Sequence, residues 1–310
     1  MAAVAAASAP AGSRSLFVDI GANMTDSMFS GTYRGKSKHD PDLDEVLERA
    51  WANGVDKMLV TAGCLAETAE AAKLAEKDDR LFFTVGVHPT RAGEFDKATS
   101  PEAHVAALMA VIDAAGGKVK AIGECGLDAD RTHFCSMEAQ ARHFPRHFEL
   151  AEATGLPMFF HSRGCHDAFI DIVRSNRDRF RHGVVHSFTG SAEEAKQLME
   201  LDLYIGVNGC SLKTAANLEV VKTIPLHRMM LETDAPWCGV KRTHAGFEYV
   251  RTEFPTVKKP EKKVPGHCVK DRCEPCHIRQ VAEVVAALHG VSVEEVAAVT
   301  TANATRVFFS

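Results

Sequence analysis

Eight short apolar runs recur along this 310-residue chain, most of them followed by a longer stretch of helical period. The runs are LFVDIGAN (16–23), DKMLVTAG (56–63), LFFTVGVHP (81–89), VKAIGECGLD (119–128), PMFFHSR (157–163), GVVHSFTG (183–190), LYIGVNGC (203–210) and RMMLETDAP (228–236). Each is brief and nearly continuous in apolar character, as parallel strands buried on both faces must be. Helical patterns occupy 42–54, 66–78, 101–117, 136–155, 165–180 and 191–201. Pro145 falls inside the fourth and predicts a kink, since its ring clashes with the preceding turn. Ser191 and Glu194 have the spacing of a capping box at the start of the sixth. Two further helical segments, 277–290 and 292–309, close the chain.

This alternation predicts an α/β fold, a TIM-like (β/α)8 barrel, with an open doubly wound sheet as the alternative. No Gly-rich phosphate-binding fingerprint follows the first run, which counts against the open sheet. The length suits one barrel as well as two average domains. We read residues 1–15 as a flexible leader and 16–310 as a single barrel domain. The leader has one basic residue, Arg14, and no strong apolar centre, so neither a secretory signal nor an arginine-rich transit peptide is expected. No apolar run is long enough to span a bilayer, so no membrane partner is expected. Nine cysteines without an export signal are expected as reduced thiols, in the cytoplasm or nucleus.

Four ligand-type side chains fall at strand ends: Glu124 on the fourth, His161 on the fifth, His186 on the sixth and Asp234 on the eighth. A barrel brings those ends to one mouth, where its active site lies. Singly, each has a plainer reading. A strand histidine is commonly hydrogen-bonded in the core, and a strand-end carboxylate can cap a helix or pair with arginine. Together they form a constellation that buried carboxylates without a cation could not sustain. Two imidazoles with two carboxylates suit zinc, manganese or iron, whereas magnesium prefers oxygen and retained water. The natural arrangement is two divalent ions bridged by Glu124, one leaning on the histidines and one on Asp234. Such a pair activates water for in-line attack on a phosphodiester. Glu124 and Asp234 are then the catalytic candidates, with Asp234 beside the nucleophile to take its proton.

At these residues the chain resembles the TatD family of metal-dependent deoxyribonucleases, in its eukaryotic branch. The motifs are VDIGANMTD (18–26), GVHP (86–89), AIGECGLD (121–128), FHSR (160–163), VHSFTG (185–190), LETDAPWCGVK (231–241) and DRCEPCHI (271–278). The likeness runs from Phe17 to Phe309. It implies a β/α barrel of the metal-dependent hydrolase type, divalent metals, and 3′→5′ exonuclease action on DNA, at single strands or 3′ ends. DNA repair or DNA breakdown would be the setting. It also implies metal binding at Glu124, His161, His186 and Asp234. Many members carry a His-x-His pair at the end of strand one; here Gly21 and Asn23 stand there. That departure implies a looser metal held by Asp234, Glu124 and water, with Asp19 or Asn23 in outer contact. An oxygen-rich site of this kind favours Mg2+, with Mn2+ or Zn2+ as alternatives. Asn23 as a simple turn residue is the plainer reading.

Substrate-side candidates are His88, which follows strand three, and Arg163, two residues beyond His161 and able to fork a phosphate. For each, a purely structural contact is the competing reading. Residues 237–276 break the rhythm and read as a long basic loop after strand eight. Between Lys241 and Arg272 it holds nine Lys or Arg against four acids, a local +5 on a chain of net −5. A basic flap beside the mouth would track a DNA backbone; a solvated loop is the alternative. CEPCH (273–277) matches a haem-attachment pattern, and His267 and Cys268 nearby suggest a zinc knuckle. The resemblance implies a turn before a helix, so Glu274 and Pro275 are expected to anchor the loop, with neither haem nor a second zinc there. Two rival functions remain: a small-molecule amidohydrolase on the same barrel, expected to favour a strand-four lysine, and a catalytically silent metal-binding protein.

Overall fold

Phe17–Ala22 forms the first strand, buried along its whole length. Seven more strands follow it around a sheet in strict chain order. The computed structural model describes residues 16–310, so the leader expected at 1–15 lies outside the described residues. The strands are β1 (Phe17–Ala22), β2 (Val55–Val60), β3 (Leu81–Val85), β4 (Val119–Asp128), β5 (Met158–Arg163), β6 (Gly183–Val185), β7 (Tyr204–Val207) and β8 (Met229–Leu231). All adjacent pairs are parallel. The chain just beyond β8 returns to β1 through a parallel bridge between Ala22 and Ala235. There Asp234 N donates to Gly21 O at 2.8 Å and Asn23 N to Ala235 O at 2.7 Å. The sheet therefore closes, as the alternation predicts.

Helices α1 (Leu43–Ala52), α2 (Leu65–Ala75), α3 (Pro101–Ala114), α4 (Met137–His143), α5 (Arg146–Thr154), α6 (His166–Ser175), α7 (Ala192–Glu200), α8 (Ala215–Thr223), α9 (Ile278–His289) and α10 (Val293–Phe308) accompany the strands. Pro145 does more than kink the fourth helical segment: α4 and α5 are separate helices on either side of it. The Ser191–Glu194 capping box forms, each side chain accepting from the other's backbone N–H. No helix between β7 and β8 is predicted from the sequence. The structure has α8, whose two buried residues, Leu218 and Val221, make too short an apolar stripe to stand out. No single described helix is long and apolar enough to cross a membrane.

Two apolar clusters hold the barrel. The larger lies between strands and helices. The smaller is formed mainly by strand residues such as Ile20, Leu59, Phe159, Val184 and Met230, joined by Ala304, Val307 and Phe308 of α10. Side chains alternate along a strand, so a residue two positions further on shares a face. His161 follows Phe159, His186 follows Val184 and Glu232 follows Met230 in this way. The strand pleat thus carries these polar groups on the face of the inner cluster, toward the C-terminal ends of the strands.

Residues 237–276 are more ordered than their sequence suggests. Thr256–Val257 pairs in parallel with Cys268–Val269. Buried Arg272 forks Asp42 with two 2.7 Å bonds and reaches Glu274 at 3.0 Å. Glu274 also takes Arg49 at 2.7 Å, so it anchors the loop as expected. Lys263 pairs with Glu45 at 2.8 Å and Asp42 at 3.5 Å. Two of the loop's nine cations are thus spent within the protein, Arg272 and Lys263 neutralising its own carboxylates.

Candidate active site

Glu124 sits near the middle of β4 rather than at its end, because the strand runs on to Asp128, and its N–H donates to Ala62 O at 3.2 Å just past the end of β2. Its Oε1 lies 2.7 Å from His161 Nδ1 and 2.7 Å from His186 Nε2. Those two nitrogens are 3.3 Å apart, and His88 Nε2 approaches the same oxygen at 3.5 Å. The far nitrogen of each inner histidine faces a second carboxylate. His161 Nε2 is 3.1 Å from Asp128 Oδ2, and His186 Nδ1 is 3.6 Å from Glu232 Oε2. Histidines that ligate metal are oriented in this manner, one nitrogen on the ion and the other toward a carboxylate.

Asp234 stands beside this triad rather than in it. Among the described residues, the ligand atoms of Glu124, His161 and His186 lie within 4.8 Å of one another, as do those of His88, Asp128 and His161; Asp234 joins neither group. Its Oδ1 accepts from Asn23 Nδ2 at 2.8 Å and its Oδ2 from the Cys238 thiol at 3.1 Å. Asn23 Oδ1 in turn accepts from Thr61 Oγ1 at 2.8 Å. Asp234 has φ +46°, a left-handed conformation that a short polar side chain tolerates. A third group of possible ligands, Cys268, Cys276 and His277, lies elsewhere, in the loop and at the start of the helical close of the chain.

The charges ask for a cation. Glu124 and Glu232 are buried, Asp234 is part-buried, and among the described residues no Lys or Arg forms an ion pair with any of the three. Burial opposes the Glu124 charge, but His186 and the hydrogen bonds from His161 and His186 hold its carboxyl well below the usual range. Burial likewise opposes charge on His186, yet Glu124 and Glu232 raise it well above an ordinary imidazole. Burial, with Glu232 and Glu124 nearby, pushes Asp234 up to about 6. The carboxylates of Glu124 and Glu232 that hold a proton on His186 make its surroundings negative in potential, and a divalent ion satisfies the same buried charges. The buried His186 Nδ1 and Glu232 Oε2 have no hydrogen-bond partner. The donor set of one carboxylate oxygen and two imidazole nitrogens suits zinc or manganese, and these residues fit a divalent metal.

The remaining expected residues divide. His88 Nδ1 is spent on Thr90, 2.6 Å from Oγ1 and accepting from N at 3.1 Å, while Nε2 faces Glu124. Burial lowers His88 to about 3, so the ring is neutral. Arg163 makes no ion pair among the described residues, and its charge helps to hold Asp128 ionised against burial. It lines a cleft of about 210 Å³ with Ser162, His166, Thr189 and Glu194, and none of Glu124, His161 and His186 lines that cleft. Asn23 contacts Asp234. Asp19 does not reach the triad. It accepts from Thr233 Oγ1 at 2.6 Å, Thr233 N at 3.0 Å and Gly21 N at 3.2 Å, clasping β1 to the segment after β8. Burial raises it to about 7.

Three further participants are not predicted from the sequence. Asp128 and Glu232 back the histidines, and Asn208 Nδ2 holds Glu232 Oε1 at 2.8 Å, next to the Ser187 N–H at 2.6 Å. Strand parity offered a signal for Glu232, two residues before Asp234. The glycine at strand one also acquires a reason. A Cβ on Gly21 would stand 2.9 Å from Glu232 Oε2 and 3.2 Å from Phe159 Cζ, so strand eight and strand five occupy the room a larger residue would need.

A model of the TatD related DNase family matches residues 18–309. Deoxyribonuclease Tat-D of Schizosaccharomyces pombe is 44% identical, over 90% of this chain and 91% of its own. A 3′-5′ ssDNA/RNA exonuclease TatD of Erwinia tasmaniensis is 33% identical over 94% and 98%. The crystal structure of a TatD family hydrolase from Entamoeba histolytica superposes with a TM-score of 0.90 at 34% identity, over 95% of this chain and 98% of that one.

Proposed function

The chain belongs to the TatD related DNase family, and from that premise we propose that it is a metal-dependent deoxyribonuclease removing nucleotides from the 3′ end of single-stranded DNA. The observation that carries this reading is the meeting of His161 Nδ1 and His186 Nε2 on Glu124 Oε1, each at 2.7 Å. Glu124, His161 and His186 would hold one divalent ion, and Glu124 with Asp234 a second, looser one. The second position, rich in oxygen, favours Mg2+ or Mn2+, and the first also accepts Zn2+. When bound, such ions supply an activated water and neutralise charge developing on the phosphate.

The chain's own groups do the rest. Asn23 and Cys238 fix the Asp234 carboxylate so that it can take the proton of the attacking water. Asp128 and Glu232 orient the two histidines. Arg163, free of an ion pair, takes a non-bridging phosphate oxygen. Exposed Lys258, Lys259 and Lys262 draw the strand toward the mouth. The setting proposed is intracellular, where the nine cysteines would stay reduced.

The test uses purified protein with Mg2+ or Mn2+ and end-labelled single-stranded DNA. Mononucleotides released from the 3′ end, and lost in Glu124→Ala, are the expected result. No cleavage with any divalent metal would leave an amidohydrolase-type enzyme or a silent metal-binding protein in its place.

A further inference from the structure

Two thiols meet at the rim of the site. Cys210 lies in the turn Gly209–Leu212 after β7, and Cys238 lies four residues beyond Asp234. Their Sγ atoms are 2.6 Å apart, closer than the roughly 3.5–4.0 Å of ordinary nonbonded contact. Closing to a bond requires about half an ångström. The backbone enforces the meeting: a Cβ on Gly209 would stand 2.1 Å from Cys238 O and 2.8 Å from Gly239 C, so the two loops touch main chain to main chain. Each loop is pinned from behind. Asn208 Oδ1 accepts from Cys210 N at 2.8 Å, and Cys273 N donates to Pro236 O at 2.9 Å. Cys210 is half-buried and Cys238 buried, so solvent reaches Cys210 first. Cys238 is also the residue whose S–H donates to Asp234 Oδ2 at 3.1 Å.

We infer that Cys210 and Cys238 form an oxidisable dithiol, a disulfide-forming modification site whose closure takes a hydrogen-bond donor away from Asp234. A peroxide is the oxidant. The Cys210 sulfur attacks one peroxide oxygen, the O–O bond breaks, one water leaves, and Cys210 becomes a sulfenic acid. The Cys238 sulfur then attacks the Cys210 sulfur, the S–O bond breaks, and a second water carries off the thiol proton. Both sulfurs are oxidised and one peroxide is reduced to two waters. The disulfide has no S–H to offer Asp234, which is left with Asn23 as its side-chain donor. Other thiols provide an internal comparison. Cys273 Sγ lies 3.8 Å from each of the Thr233 and Glu274 carbonyl oxygens, and Cys268 and Cys276 group with His277.

The experiment treats the full chain with hydrogen peroxide, alkylates the remaining thiols under denaturing conditions, and maps linked peptides by mass. The expected product joins Cys210 to Cys238, reverts with dithiothreitol, and is absent from Cys210→Ser. Metal-dependent cleavage of end-labelled DNA should fall several-fold with the link and return on reduction, while Cys210→Ser keeps its activity under the same peroxide. Peroxide that links Cys268 to Cys276, or engages Cys273, while 210 and 238 remain alkylatable would overturn the site. A 210–238 link with unchanged cleavage would overturn its coupling to Asp234. The cleavage arm rests on the nuclease reading and the linking arm does not, so a protein that links but never cleaves refutes that reading and leaves the dithiol intact.

Discussion

Asn23 Nδ2 donates to Asp234 Oδ1 at 2.8 Å, so the strand-one residue grips the strand-eight carboxylate. Asn23→Ala should then loosen Asp234 and raise the Mg2+ or Mn2+ concentration needed for half-maximal activity about tenfold, the scale of one hydrogen bond to a charged group. Titration of activity with metal checks this, with thermal unfolding to show the barrel intact. An unchanged metal requirement would reduce Asn23 to a turn residue.

Asp234→Asn removes the proton acceptor and an anionic ligand together while keeping an oxygen for Asn23 and Cys238 to approach. Turnover should fall by at least about a hundredfold while the unfolding midpoint stays near that of the unaltered protein. A variant near full rate would remove Asp234 from the chemistry.

The loop lysines should separate into two behaviours. Lys258→Glu, Lys259→Glu and Lys262→Glu, all at exposed positions, should raise KM for DNA and flatten its salt dependence, because each phosphate contact contributes to the salt slope. Lys263→Glu places a third acid against Asp42 and Glu45, and should lower the unfolding midpoint whatever its effect on KM. Measuring KM from low to physiological salt in all four variants sorts them. Identical salt dependence in the first three would leave the loop merely solvated.

Below neutral pH, His147 should govern part of the stability. Its Nε2 accepts from Val87 N at 3.0 Å and its Nδ1 lies 3.1 Å from Phe144 O, an arrangement only the neutral ring can hold. Burial pushes it down to about 4 from 6.5. The folded value lies below the unfolded one, so the contribution is complete above about 6.5 and is lost as pH falls through about 4. Its size is about 3 kcal/mol. Urea unfolding across that window should show the decline, and His147→Gln, which keeps an acceptor for Val87, should show less of it. Equal slopes would assign the acid sensitivity to other groups.

What the sequence by itself determined was the frame. Eight apolar runs separated by helical periods specify parallel strands buried on both faces, and the Ala22–Ala235 bridge closes them into a barrel rather than an open sheet. Strand-end position then nominates Glu124, His161, His186 and Asp234. Tertiary structure decided how those four relate. The first three converge on one oxygen, while Asp234 turns aside to Asn23 and Cys238. It set Asp19 on the seam between β1 and the segment after β8, since which carboxylate meets Thr233 depends on closure of the sheet. It also filled the space beside Gly21 with Glu232, and tied Lys263 and Arg272 to α1 or the residue just before it. Periodicity is local and survives in the linear chain. Contacts between residues some two hundred positions apart, such as Asn23 with Asp234 or Asp42 with Arg272, exist only once the barrel has closed.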